Sequence, residues 1–215
     1  MSATATRRPD ASEFSSYYGR YVAAVPDGDI LAVLRRDREE WQTMIAELPE
    51  ARGDDRYAAD KWSIRQVIGH VSDTERVFSY RAFRIARGDK TPLASFDQDE
   101  YVKTAGSERR TLSSLAAELL AVRESTLSLF VSLPDEAWMR TGTASDNPVS
   151  VRALAYITAG HARDHLKILR EKYLGLSGAV TRGPSSRAPT PISLTGKCPP
   201  RQTSRSGKRP PTTCP

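Results

Sequence analysis

The chain has 215 residues, 39% of them hydrophobic, and a formal charge of +6. That length suits one well-buried domain, and no apolar run approaches the roughly 18–20 residues that a membrane helix needs. The opening MSATATRRPD is short and polar and lacks the apolar stretch of a secretory signal, so a cytoplasmic protein with no membrane partner is expected.

In chain order, residues 1–12 are expected to be a disordered N-terminus and residues 13–175 the folded domain. Tyr17, Tyr18 and Tyr21 follow, read as residues that pack across the fold and not as ligand-binding groups. The first long helix is predicted from about Asp29 to Leu48, with Ile30, Leu31, Leu34, Trp41, Met44, Ile45 and Leu48 as its apolar stripe and Pro49 as its stop.

A second helix is predicted from Ser63, where Ser63 and Gln66 have capping-box spacing, to about Arg87 before Gly88. Its stripe is Ile64, Val67, Ile68, Val71, Phe78 and Ile85. The third runs from about Leu112, behind Thr111, to Leu133, ahead of Pro134. The fourth opens at Ser150 and closes at Leu174, with Gly175 placed as a C-terminal cap.

No segment has the alternation of a half-buried strand, so no strand is expected. Four helices with one apolar face each predict an all-α four-helix bundle. The long connection over residues 89–110 suggests a crossover that could cover one end of the bundle.

Residues 176–215 carry seven basic residues and no acidic one, so this segment accounts for the positive balance and the rest is nearly neutral. It also holds eight of the 14 prolines and both cysteines, Cys198 and Cys214, and is expected to be a disordered basic tail. With no interleaved aromatics and no folded motif, it does not make nucleic acid an expected partner. Two thiols in such a tail form neither a disulfide framework nor a zinc site.

The only three histidines are His70, His161 and His165. HARDH puts His161 and His165 four apart on the fourth helix, about 40° apart in direction and roughly 6 Å apart along its axis. Both interrupt the apolar stripe, so they point into the bundle, and His70 stands beside Val71 at the border of the second helix's stripe. Three imidazoles suit zinc or nickel and leave a coordination position open. Such an ion lowers the pKa of a bound water or thiol, and the sequence does not choose between these nucleophiles. A hydrogen-bonded core role for each histidine is the alternative.

Glu75 falls where the second helix's stripe calls for a buried residue, so this carboxylate needs a partner. It is a candidate orienting group or base; an ion pair with an arginine of another helix is the competing role. Asp73 is the weaker candidate, three residues from Arg76 on the helix surface. A serine, cysteine or lysine nucleophile and a phosphate-cradling glycine loop are both lacking.

WSIRQVIGHVSDTER in the second helix, FDQDEYV in the connection and SVRALAYITAGHARDHLKIL in the fourth helix resemble the DinB-like superfamily over roughly residues 20–174. The likeness is greatest to its bacillithiol-transferase-like members, often labelled metal-dependent hydrolases. It implies a divalent metal ion, zinc or nickel, held by His70, His161 and His165. It also implies a thiol S-transferase, in which a low-molecular-weight thiol attacks a small-molecule electrophile. On that reading Glu75 helps orient the site, and Trp62, Tyr101 and Tyr156 are candidate substrate-binding residues. Asp99, beside Tyr101, is placed at the pocket's mouth. A hydrolase using metal-bound water and a non-catalytic, stress-related metal-binding bundle are the alternatives, and a homodimer is a family-level expectation.

Overall fold

The structure is a computed structural model that describes residues 7–176. The expected disorder of residues 1–6 and of the tail from 177 on, with Cys198 and Cys214, lies outside the described residues. In chain order the described helices are α1 (Gly19–Ala24), α2 (Ile30–Ala46), α3 (Ile64–Ala86), α4 (Gln98–Thr104), α5 (Leu112–Val131), α6 (Asp135–Trp138) and α7 (Val151–Ile168). A π-helical turn, Leu169–Tyr173, extends α7, and Gly175 follows at φ +66°.

Each long helix starts at a side chain that caps a free backbone N–H. Asp29 accepts from Leu31, Thr111 from Ser114 and Ser150 from Ala153, while Ser63 and Gln66 form a reciprocal capping box. The main packing pairs are α2 with α5, α5 with α3, α3 with α7 and α7 with α2, which close a ring of four. Helices consecutive in sequence, α2 and α3, then α5 and α7, stand across its diagonals.

The core has two clusters. One joins Ile30, Leu34, Phe78, Ile85, Phe130, Trp138 and the first half of α7; the other joins Trp41, Ile45, Ile64, Ile68, Leu115, Leu119 and Leu166. Every residue of α7 from Val151 to Ala162 is buried, because α1 lies on the side that the other long helices leave open. Small residues make this possible: a Cβ on Gly160 would stand 1.9 Å from the Tyr21 carbonyl oxygen, so α1 approaches α7 backbone to backbone.

The expectation of no strand is overturned by an antiparallel hairpin, β1 (Thr141–Ala144) and β2 (Asn147–Ser150), paired from Thr141↔Ser150 to Ala144↔Asn147. Its two-residue turn puts Ser145 and Asp146 at φ 50° and 60°, the left-handed conformation that tight hairpins require. Leu93 of the long connection bridges to it through Leu93 N–H to Thr143 O and Ser145 N–H to Leu93 O, both 2.9 Å. The connection and the hairpin thus build one wall beside α3.

Residues 7–12, expected to be disordered, are in place: the Arg8 guanidinium donates to the carbonyls of Val22 and Val25 at the end of α1. Glu13, just beyond, pairs with buried Arg152 and accepts from Ser150. No described helix is long and apolar enough to cross a membrane.

Candidate metal centre

Because α3 and α7 pack side by side, His70 on the first faces His161 and His165, one turn apart on the second. His70 and His161 are buried and His165 is half-buried. The Nε2 atoms of His70 and His161 are 3.1 Å apart, and one ring nitrogen from each of the three lies within 4.8 Å of the others.

Burial sets their protonation, since a buried imidazolium loses its hydration. It pushes His70 down to about 3, with His165 adding to the shift, and His165 down to about 4, helped by the charge of Arg20. His161 falls well below its ordinary value, first from burial and then from its two histidine neighbours. All three are neutral at pH 7, with lone pairs to offer. The Thr74 hydroxyl stands 3.4 Å from Nδ1 of His70, on the side away from the pair, which leaves Nε2 turned toward His161.

This donor set fits a borderline divalent ion such as zinc or nickel. With bonds of about 2.0–2.1 Å, ligand nitrogens in a tetrahedral site stand roughly 3.3 Å apart, close to the spacing of His70 and His161. Three protein donors also leave room for a fourth ligand.

Aromatic rings enclose the cluster. Trp62 stacks obliquely on His70 with centroids 4.7 Å apart, and Tyr21 and Phe78 meet His161 edge-on at 5.4 and 5.8 Å. His161 lines a cavity of about 570 Å³ whose walls include Tyr17, Tyr18, Tyr21, Thr74 and Phe78, with Phe96, Asp97 and Gln98 from the connection and Ser145 and Asn147 from the hairpin. Burial raises the Tyr21 phenol above its ordinary pKa, and Arg20 donates to its oxygen at 2.6 Å.

The family model of the DinB superfamily matches residues 29–169, which contain all of the long helices and the three histidines. The chain belongs to the DinB superfamily. No curated protein matches it by sequence. Among solved structures it is similar to YfiT from Bacillus subtilis, described as a probable metal-dependent hydrolase with an unusual four-helix bundle topology: 16% identity, TM-score 0.62, covering 80% of this chain and 95% of that one. It is also similar to a mycothiol-dependent maleylpyruvate isomerase, at 13% identity and TM-score 0.54, covering 64% of this chain and 58% of that one. At these identities the likeness is one of fold.

The remaining residues singled out in this DinB chain fall in different places. Trp62 lies on the histidine cluster, its own carbonyl accepting from the Tyr173 hydroxyl at 2.6 Å. Glu75 does not reach a histidine: both its carboxylate oxygens accept from buried Arg123, at 2.7 Å each, and Arg123 also donates to the Leu34 carbonyl. The arginine pair is thus the role Glu75 fills.

Tyr156 is 1% exposed in the core, with the Arg8 guanidinium 5.8 Å from its ring, and takes no part in the cavity. Tyr101 is 45% exposed beside Phe96, on a separate cavity of the same wall. Asp73 pairs with Arg76 at 3.2 Å, and Asp99 is exposed in the first turn of α4. Tyr18 and Tyr21 pack as read from the sequence, Tyr18 edge-on against Phe78 and Tyr21 buried in the core, and together with Tyr17 they also line the cavity at His161. Three tyrosines within five residues were the available signal, but which way they face depends on how α1 docks.

Proposed function

We propose that this protein is a metal-dependent thiol S-transferase whose functional domain is residues 13–175, working in the cytoplasm on a dissolved thiol and a small electrophile. What carries the reading is the convergence of three neutral imidazoles, from His70, His161 and His165, with His161 in the wall of a cavity large enough for a small molecule. Zinc or nickel suits these donors. When bound, such an ion supplies Lewis-acid activation that favours the thiolate of a thiol, or hydroxide from water, near neutral pH.

The chain's own residues supply the rest. His70, His161 and His165 offer lone pairs without first losing protons, and Thr74 keeps the Nδ1 face of His70 occupied. Trp62, Tyr21 and Phe78 hold the imidazoles by packing and keep water from their sides. The aromatic walls of the cavity suit the apolar body of an electrophile, while Asp97, Gln98 and Asn147 offer polar groups to the thiol's carrier. Transfer forms a sulfur–carbon bond as the leaving group departs with its electron pair, and the thiol proton passes to solvent. The likeness of fold to a mycothiol-dependent isomerase supports a thiol partner.

Hydrolysis at the same three histidines is the second reading, favoured by the likeness to YfiT. Purified, untagged protein should contain close to one equivalent of zinc or nickel by elemental analysis, and His161→Ala should lose it. With metal loaded, 1-chloro-2,4-dinitrobenzene should turn over only when mycothiol, bacillithiol or glutathione is added. Turnover of a model ester or amide without thiol would select hydrolysis, and absence of metal after reconstitution would sink both readings.

A further inference from the structure

Four arginines are buried among the described residues: Arg65, Arg81, Arg123 and Arg152. Three face carboxylates, Arg65 with Glu50 and Asp54, Arg123 with Glu75, and Arg152 with Glu13. Arg81, only 3% exposed, pairs with no described carboxylate. Its Nη2 donates to the Ala94 carbonyl at 2.7 Å and to the Ser145 hydroxyl at 2.9 Å, both neutral, and neither Nε nor Nη1 donates to a described residue. A charge taken out of water without a counter-charge is costly. A neutral amide could make the same two bonds, so tying the connection to the hairpin does not by itself call for a guanidinium.

Arg81 lines a cavity of about 510 Å³ between α3 and residues 91–101. Leu93, Phe96, Tyr80 and Tyr101 give this cavity apolar and aromatic walls; the Phe96 and Tyr101 rings are 5.4 Å apart, and the Arg81 guanidinium lies 5.6 Å from the Phe96 ring. The two other arginines in the wall are already matched, Arg76 by Asp73 and Glu118 and Arg84 by Asp89. One unmatched positive charge among aromatic walls is complementary to a flat apolar molecule with a single negative charge. Arg81 is eleven residues beyond His70, roughly 16 Å along α3, so an anion held there is not a ligand of the histidine cluster.

We infer that this cavity binds a small aromatic carboxylate, with Arg81 as its counter-charge and Phe96 and Tyr101 against its ring. The assignment stands apart from the metal-dependent reaction proposed above.

The test is a titration of the full chain with benzoate and with its neutral isostere benzamide, followed by amide shifts in two-dimensional NMR. Benzoate should shift Arg81, Leu93 and Ala94, which line this cavity and not the one at His161, saturably, and benzamide should bind at least tenfold more weakly. Arg81→Gln should weaken benzoate binding at least tenfold, Arg81→Lys less. Tyr101→Ala, at an exposed position, should weaken it a few-fold with the fold intact. His161→Ala should bind benzoate like the parent, which separates this cavity from carboxylate binding at a metal. Equal affinity for the two probes, undiminished binding by a folded Arg81→Gln, shifts centred on His70 and His161, or a preference for inorganic phosphate would each overturn the assignment. Should Arg81→Gln fail to fold, the benzoate–benzamide ratio and Tyr101→Ala decide.

Discussion

Gly160 faces the backbone of Tyr21 so closely that a Cβ at that position would lie 1.9 Å from the Tyr21 carbonyl oxygen. The obstacle is backbone and not a flexible side chain, so Gly160→Ala must displace α1 from α7. Overpacking of this kind costs about 1–3 kcal/mol, and the gain in helix propensity from alanine, about 1 kcal/mol, offsets only part of it. The variant should unfold at lower urea concentration than the parent, and its Tyr21 ring should leave His161. An unchanged midpoint would mean that α1 does not dock as described.

Glu75 and Arg123 form a doubly hydrogen-bonded pair in which both side chains are 2% exposed. Removing one partner strands a buried charge, so Glu75→Ala should cost roughly 3–5 kcal/mol in chemical denaturation. Replacing both residues together, by Glu75→Leu with Arg123→Met, should recover most of that loss. A catalytic base would behave differently, with Glu75→Gln abolishing turnover while leaving the denaturation midpoint in place.

The helix boundaries were legible because each long helix begins at a side chain that can cap it, Asp29, Ser63, Thr111 or Ser150, and such capping is local chemistry. The histidine cluster was legible for a related reason: a four-residue spacing on a helix fixes the relative direction of His161 and His165. What depended on distant partners was not. The sequence calls for a partner of Glu75 and offers an arginine of another helix, but which arginine, Arg123, 48 residues away, follows from no spacing rule. The hairpin escaped because its strands have four residues each, one contains Pro148, and the turn at Ser145 and Asp146 lacks the glycine that usually marks one. Tyr101 has the aromatic character of a substrate contact, yet α4 turns it toward another cavity.

If the histidine cluster holds a divalent ion, metal and fold are thermodynamically linked. An ion at about 100 times its dissociation constant adds about 2.7 kcal/mol to stability, so exhaustive chelation should lower Tm by several degrees and added zinc or nickel should restore it. His70→Ala should abolish this response while remaining helical by circular dichroism. A chelator effect that persists in His70→Ala would place the ion elsewhere.

Asp37, 1% exposed on α2, pairs with Arg163 while its Oδ2 atom has no partner among the described residues. Burial pushes its carboxyl up to about 6, from 3.8, against the opposing pull first of Arg163 and then of Arg123. Because the folded-state value lies above the unfolded one, its contribution is fully present below about pH 4 and is lost as pH rises through about 6. The loss is on the order of 3 kcal/mol at neutral pH. Asp37→Asn cannot ionise, so parent stability minus variant stability should fall steadily between pH 4 and pH 7 in urea titrations. The pull of Arg163 is already contained in the value of about 6; a difference that instead rises with pH would show that this pull outweighs burial and holds the folded carboxyl below 3.8.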